Sequence, residues 1–203
     1  MVVPRCSFRG LRDRWSRDLH SRQRYHLLVV ALLQSLFSHQ AWADAAILSA
    51  VQSHPESLGD EWLLKTLHHI VMVQRVFLSR FLVRPFDSVK ESQRPESYDA
   101  LVNLFRTSHD EQLAFVHGLS ESDLERRFEL PFLKTQPTLV EGLTQVVMHS
   151  QNHRGQCLTR LRENATKPPT LDYILWIRDR PAPSWPKLEN IDPGGGSNAS
   201  SVP

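Results

Sequence analysis

The sequence is poor in cysteine and has no long hydrophobic run. Cys6 and Cys157 are its two cysteines among 203 residues, which excludes a disulfide framework and a metal site built from pairs of thiolates. The longest uninterrupted apolar run, residues 27–33, is far shorter than the roughly 20 residues that span a bilayer. We therefore expect a cytoplasmic protein that makes no use of a membrane.

The chain also lacks an excess of positive charge outside its N-terminus. Residues 1–25 hold seven arginines and two aspartates, whereas the rest of the chain carries 17 Lys and Arg against 20 Asp and Glu. Because residues 26–203 are mildly acidic, they do not favour a nucleic-acid groove. Nucleic-acid binding would therefore depend on the arginine-rich residues 1–25 alone, which we call the leader.

The leader itself has two interpretations. Its arginines precede the apolar run, and Ala41-Trp42-Ala43 follows that run like the cleavage site of a signal peptide. Against a signal peptide, Asp13 and Asp18 lie in the leader, and the apolar pattern continues with helical spacing beyond the run. We interpret residues 1–25 as an arginine-rich extension.

Several catalytic signatures are missing as well, among them a Walker A loop, G-x-G-x-x-G, G-x-S-x-G and H-E-x-x-H. The chain instead contains long amphipathic segments. Apolar spacing, caps and breakers predict four helices, over residues 26–53, 61–83, 96–118 and 139–163. The last begins with Thr138 and Glu141 at the spacing of a capping box.

Four such segments predict an all-α protein, a four-helix bundle over residues 26–180. Residues 128–132 are expected to form a short extended piece, and residues 171–178 one more helical or extended turn. The Pro/Gly/Ser-rich residues 181–203 are predicted to be a disordered tail.

Histidine is the prominent feature, with ten in the chain. His149 and His153 lie four residues apart in the fourth predicted helix, which places the two rings on one face, one turn apart. Two imidazoles in this arrangement can share a metal ion, and apolar neighbours place them beside the buried face. Gly142, two turns earlier, is expected to leave open space on the same stripe.

A metal site of this kind needs a third protein ligand. The second helix offers His68 and His69 within its apolar face, and His69 has the more apolar neighbours at helical spacing, so we favour His69. His39, His109 and His117 are expected to be solvated or to lie outside the ligand set. Arg154 and Gln156 can orient an anionic group, although an inter-helix salt bridge explains Arg154 equally well.

Cys157 has no neighbour in the sequence that would lower its pKa, so we interpret it as a core residue rather than a nucleophile. No catalytic residue is assigned from the sequence.

The segment His149-Ser-Gln-Asn-His153-Arg-Gly-Gln resembles the H-x-x-x-H-R-G-Q signature of the DinB-like superfamily, the DinB/YfiT-like proteins. Leu67-His68-His69-Ile70 resembles the Leu-x-His-Ile of that family's second helix. Three further segments are similar to family motifs in the expected order: residues 37–44, 119–124 and 138–143. The resemblance covers about residues 26–178.

The resemblance implies a DinB/YfiT-like four-helix bundle whose metal ligands correspond to His69, His149 and His153. It also implies a divalent ion such as zinc or nickel, a homodimer, and thiol S-transferase or thiol-dependent isomerase activity. Three neutral imidazoles also suit metal-assisted hydrolysis. The expected substrate is a small molecule, for which a low-molecular-weight thiol is one candidate. The alternative is a non-catalytic, stress-associated bundle with a structural metal or none.

Overall fold

The computed structural model describes residues 8–188, with side chains from Tyr25 onward. Its helices, in chain order, are α1 (Phe8–Gln52), α2 (Pro55–Leu58), α3 (Glu61–Phe81), α4 (Ser88–Glu91), α5 (Tyr98–His117), α6 (Leu139–Glu163) and α7 (Tyr173–Asp179). A short 3₁₀ turn, Glu121–Asp123, follows α5. Among these helices none combines the length and apolar character that a bilayer crossing requires. The expected all-α fold class is confirmed.

Local capping explains where the long helices begin. The Asp60 carboxylate accepts a hydrogen bond from the Leu63 amide at the start of α3, and the Ser97 hydroxyl accepts one from the Ala100 amide at the start of α5. Thr138 and Glu141 form the reciprocal bonds of a capping box at the start of α6. The predicted bounds of α6 coincide with the observed ones.

The four long helices pack with α3 against α6 and with α1 against both α5 and α6. Two apolar clusters fill the bundle. The lower cluster includes Ile47, Leu67, Phe105 and Leu161, and the upper cluster includes Phe37, Phe77, Val116 and Leu143. Each long helix contributes to both clusters, so each has a point along its length where one cluster gives way to the other.

The link between α5 and α6 folds back on itself. Isolated bridges pair Arg127 with Thr138 and Leu130 with Thr135, and residues 131–134 form a turn between them. The extended piece expected at residues 128–132 therefore reaches only to Leu130. Phe128 of this link packs directly on α6 at Gly142, where an added Cβ would lie 2.5 Å from its ring. The prediction of open space at Gly142 is therefore wrong, because the ring of Phe128 fills the space that a side chain would occupy.

Ordered structure extends beyond the predicted bounds of the bundle, residues 26–180, in both directions along the chain. Helix α1 begins at Phe8 rather than at residue 26. Residues 181–188 lie against α1, where the Ser49 hydroxyl donates to the Ser184 carbonyl and the Gln52 amide donates to the Lys187 carbonyl at 2.9 Å. The prediction of a disordered tail is wrong for these eight residues. Residues 1–7 and 189–203 of the two predicted extensions lie outside the described residues.

Candidate metal centre

Three histidines meet in the groove between α3 and α6. His149 and His153 lie one turn apart on α6, and His69 reaches them from α3. The Nε2 atoms of His69 and His149 are 3.2 Å apart, and one nitrogen from each of the three rings lies within 4.8 Å of the others. The structure thus brings together the three residues proposed as ligands from the sequence.

His69 occupies the cluster and His68 does not, but the reason differs from the sequence argument. His68 is the more buried of the two, 7% exposed, and it lies beside Glu91. His69 is half-buried at the edge of the groove. The cluster therefore lies at the border of the bundle, where a small molecule can approach, rather than in the core.

The surroundings keep two of these imidazoles, those of His69 and His149, uncharged at neutral pH. Burial, together with neighbouring His153 and His69, lowers the pKa of His149 to about 4. Burial, together with neighbouring His153 and His68, also lowers the pKa of His69. At neutral pH both rings therefore carry a lone pair on one nitrogen, which is the form that binds metal.

The hydrogen bonding around the cluster leaves ring nitrogens available to bind a metal ion. The Gln156 side-chain oxygen lies 2.9 Å from Nδ1 of His153 and can accept a hydrogen bond from Nδ1–H, the tautomer that has its lone pair on Nε2. Nδ1 of His149 is buried without a hydrogen-bond partner. Two ligand nitrogens at tetrahedral positions about 2.0 Å from one ion would lie about 3.3 Å apart. The 3.2 Å between His69 and His149 fits that spacing, so the donor set suits a divalent ion.

A buried polar layer lies directly behind the site. Asp44 of α1 accepts hydrogen bonds from Arg154 at 3.0 Å, from Gln74 at 2.9 Å and from the Nε2 of His109 at 2.8 Å. Gln74 also donates to Ser150 at 3.2 Å. The layer separates the two apolar clusters and ties α3 to α6 beside the histidines, because Ser150 and Arg154 immediately follow His149 and His153 in the chain.

Electrostatics keep this layer ionised. Burial opposes the charge on Asp44, but Arg154 and the hydrogen bonds from His109 and Gln74 overcome it and hold the pKa of that carboxyl below its ordinary value. Arg154 is 1% exposed, so it is an inter-helix salt-bridge residue and is not available to orient a substrate anion.

The remaining residues singled out in the sequence lie away from the cluster. His39 is buried and bonds the Leu171 carbonyl at 2.8 Å, and His109 is buried against Asp44, so neither is solvated. His117 is exposed, as expected. Cys157 is fully buried, and burial raises the pKa of its thiol to about 12, which agrees with its interpretation as a core residue.

A cavity of about 530 Å³ opens beside His149. It runs along the groove between α3 and α6 toward the link that precedes α6. Its apolar walls come from α3 and from that link, mainly Val73, Val76, Phe77, Leu130, Phe132 and Leu133. No signal in the sequence indicated this cavity, because its two sides are far apart in the chain.

Comparison with known proteins agrees with this architecture. The family model of the DinB superfamily matches residues 48–157, which include all three histidines of the cluster. A crystal structure of a DinB-like protein from Bacillus cereus ATCC 10987 is similar over 69% of this chain and 92% of that chain, with a TM-score of 0.50 and 17% identity. None of the curated proteins matches the chain. The match over more than half of the residues, together with the shared fold, shows that this chain belongs to the DinB superfamily.

Proposed function

We propose that the chain binds one divalent metal ion, zinc or nickel, through His69, His149 and His153, and that it is a metal-dependent enzyme of the thiol S-transferase or hydrolase type. The observation that carries the proposal is the convergence of three imidazoles, two of them with Nε2 atoms 3.2 Å apart. Such spacing between ring nitrogens is what a shared ion requires.

A divalent ion held by imidazoles supplies Lewis acidity, which lowers the pKa of a water or a thiol at the remaining coordination position. The residues of the chain supply the rest of the site. Burial keeps His69 and His149 neutral, and Gln156 fixes the ring of His153. The Asp44 layer holds α3 and α6 at the separation that the cluster needs.

A catalytic role is favoured over a structural one by the number of donors. The cluster contains three histidines and, in the part of the chain with described side chains, no fourth His, Cys, Asp or Glu. His39 bonds the Leu171 carbonyl, and His68 lies beside Glu91, so neither is placed to complete the set. Three protein ligands with a position left open are typical of catalytic zinc sites.

Metal analysis tests the ligand set. Wild-type protein is expected to contain about one divalent ion per chain, and His149→Ala and His153→Ala are each expected to lose most of it, because two imidazoles bind far more weakly than three. His117→Ala, at an exposed position outside the cluster, is the control and should keep the wild-type content. Undiminished metal in both cluster variants would refute the assignment.

Cobalt substitution tests the thiol branch of the proposal. Adding glutathione, bacillithiol or mycothiol to the cobalt form should change the visible spectrum, since a thiolate entering the open position alters the ligand field. The change should vanish in His153→Ala, whereas His117→Ala, exposed and outside the cluster, should still respond. An unchanged wild-type spectrum with all three thiols would exclude the S-transferase and leave the hydrolase or a structural ion.

The homodimer expected from the family resemblance forms part of this proposal. Light scattering should then give twice the chain mass of 23.4 kDa. A monomeric mass at micromolar concentration would contradict it.

A further inference from the structure

The cavity beside His149 is continuous with the three-histidine cluster. Val73 lies one turn beyond His69 on α3, and Gln145 lies one turn before His149 on α6, and both line the cavity together with His149 itself. Because α3 and α6 run antiparallel, these two steps lead in the same direction along the groove. A molecule with a reactive group at the histidines would therefore extend into the cavity.

The walls of the cavity select by polarity. Seven of the lining residues are apolar side chains, three from α3 and four from the link before α6. A volume of about 530 Å³ lies within the range typical of small-molecule sites, so the space suits a ring system or a branched hydrocarbon group.

Charge in the lining excludes one class of occupant. The lining contains no lysine or arginine, and its single carboxylate, Glu141, is bonded to Thr138 in the capping box at the start of α6. An anionic group placed here would lose its hydration without gaining a cation. The peptide and carboxylate portions of a thiol such as glutathione are thus poorly matched to this space.

We propose that this cavity binds the uncharged, apolar part of the substrate, an aromatic or branched aliphatic group, with its reactive atom at the three histidines. The inference rests on the proposed function only for the position of the reactive atom. Binding of an apolar group follows from the cavity alone. In the S-transferase version the cavity holds the electrophile, and the thiol reaches the cluster from outside it.

A pair of fluorescent probes tests the selectivity. N-phenyl-1-naphthylamine is uncharged, and 8-anilinonaphthalene-1-sulfonate is the same skeleton with one sulfonate. The uncharged probe should bind with blue-shifted emission, and the sulfonate should bind about tenfold more weakly or worse, because its charge finds no partner in the cavity. Equal or tighter binding of the sulfonate would overturn the proposed substrate class.

Two tryptophan substitutions on α6 locate the binding. Gln145→Trp, at an exposed position lining the cavity, should weaken the uncharged probe by about tenfold or more by filling the space. Thr144→Trp is the matched control, exposed at the preceding position of the same helix and outside the lining, and should leave the affinity unchanged. Unaltered affinity in a cooperatively melting Gln145→Trp protein would overturn the proposal.

Paramagnetic relaxation connects the cavity with the histidines. In cobalt-loaded protein, protons of the bound uncharged probe should relax much faster than in zinc-loaded protein, and Gln145→Trp should abolish the difference. Probe binding without this enhancement would overturn the link between the cavity and the site. If the chain takes up no cobalt, the proposed function fails. The fluorescence titrations with the two probes use metal-free protein, so they still decide whether the cavity binds an apolar group.

Discussion

At the scale of single residues, protonation of His149 couples the site to stability. In the unfolded chain this imidazole takes up its proton near pH 6.5, whereas in the fold its pKa is lowered to about 4 by burial and by the neighbouring imidazoles. Between these two values the unfolded state binds more protons than the folded state. Acid therefore favours unfolding in this range.

The resulting prediction concerns the metal-free protein. Its free energy of unfolding should fall as the pH is lowered from 6.5 toward 4, and His149→Gln should flatten part of that decline because it removes the titrating group. Urea unfolding in the presence of a chelator, repeated at several pH values, measures the slope. His117→Gln, at an exposed position, should retain the wild-type slope, and an identical slope in His149→Gln would contradict the prediction.

Cys157 gives a second prediction at the residue scale. Burial raises the pKa of its thiol to about 12, so little thiolate forms near neutral pH and reagents cannot reach the sulfur. In a Cys6→Ala background, Cys157 should resist alkylation by iodoacetamide at pH 8 and react promptly after denaturation in guanidinium. Rapid alkylation of the native protein would contradict its position in the core.

At the scale of secondary-structure elements, the bounds of a helix could be predicted from the sequence where capping and helix-breaking residues mark both of its ends. The capping box at Thr138 and Glu141, together with Pro168 and Pro169 beyond the other end, allowed the bounds of α6 to be predicted closely. The spacing of His149 and His153 followed from the same helix. His69 was harder to choose, because His68 and His69 both belong to the inner half of α3 and their apolar neighbours suggested the wrong one as the more buried.

The Asp44 layer shows why other parts of the site could not be predicted. Its members come from four different helices, and Asp44 and Arg154 are separated by 110 positions in the chain. No local pattern distinguishes a buried, paired aspartate from an exposed one. The partner of each side chain is determined only when the helices have been brought together.

This layer leads to a prediction about how the elements are held together. Arg154→Met leaves Asp44 as a buried charge without its cation, which should cost about 3–5 kcal/mol of stability. Arg84→Met, which breaks an exposed pair with Glu111, should cost less than about 1 kcal/mol. Chemical denaturation of both variants gives the comparison.

The double variant Asp44→Asn/Arg154→Met separates charge from packing. It removes both ions together, so it should recover part of the stability lost in Arg154→Met alone. A loss in Arg154→Met no larger than in Arg84→Met would mean that the buried pair does not hold the helices together.

At the scale of the whole molecule, the chain after α7 completes the bundle. Its composition is rich in proline, which resembles a solvated tail, yet Trp185 packs on the lower apolar cluster and its ring lies 5.6 Å from that of His109, centroid to centroid. His109 in turn bonds Asp44. The segment therefore covers the polar layer. Its contacts are with α1 and with His109 of α5, which come together only in the assembled bundle.

Truncation at the two ends of this segment tests its contribution. A chain ending at residue 188 keeps Trp185 and the two hydrogen bonds to Ser49 and Gln52, and should melt as the full-length protein does. A chain ending at residue 180 loses them and should be less stable by roughly 1–3 kcal/mol, because the apolar surface that the large, partly buried Trp185 ring covers becomes exposed.

Trp185→Ala in the full-length chain should reproduce most of that loss, since it removes the ring and leaves the backbone acceptors in place. Thermal melts of the four proteins give the order, and equal melting temperatures would restore the bundle boundary at residue 180 that the composition suggested.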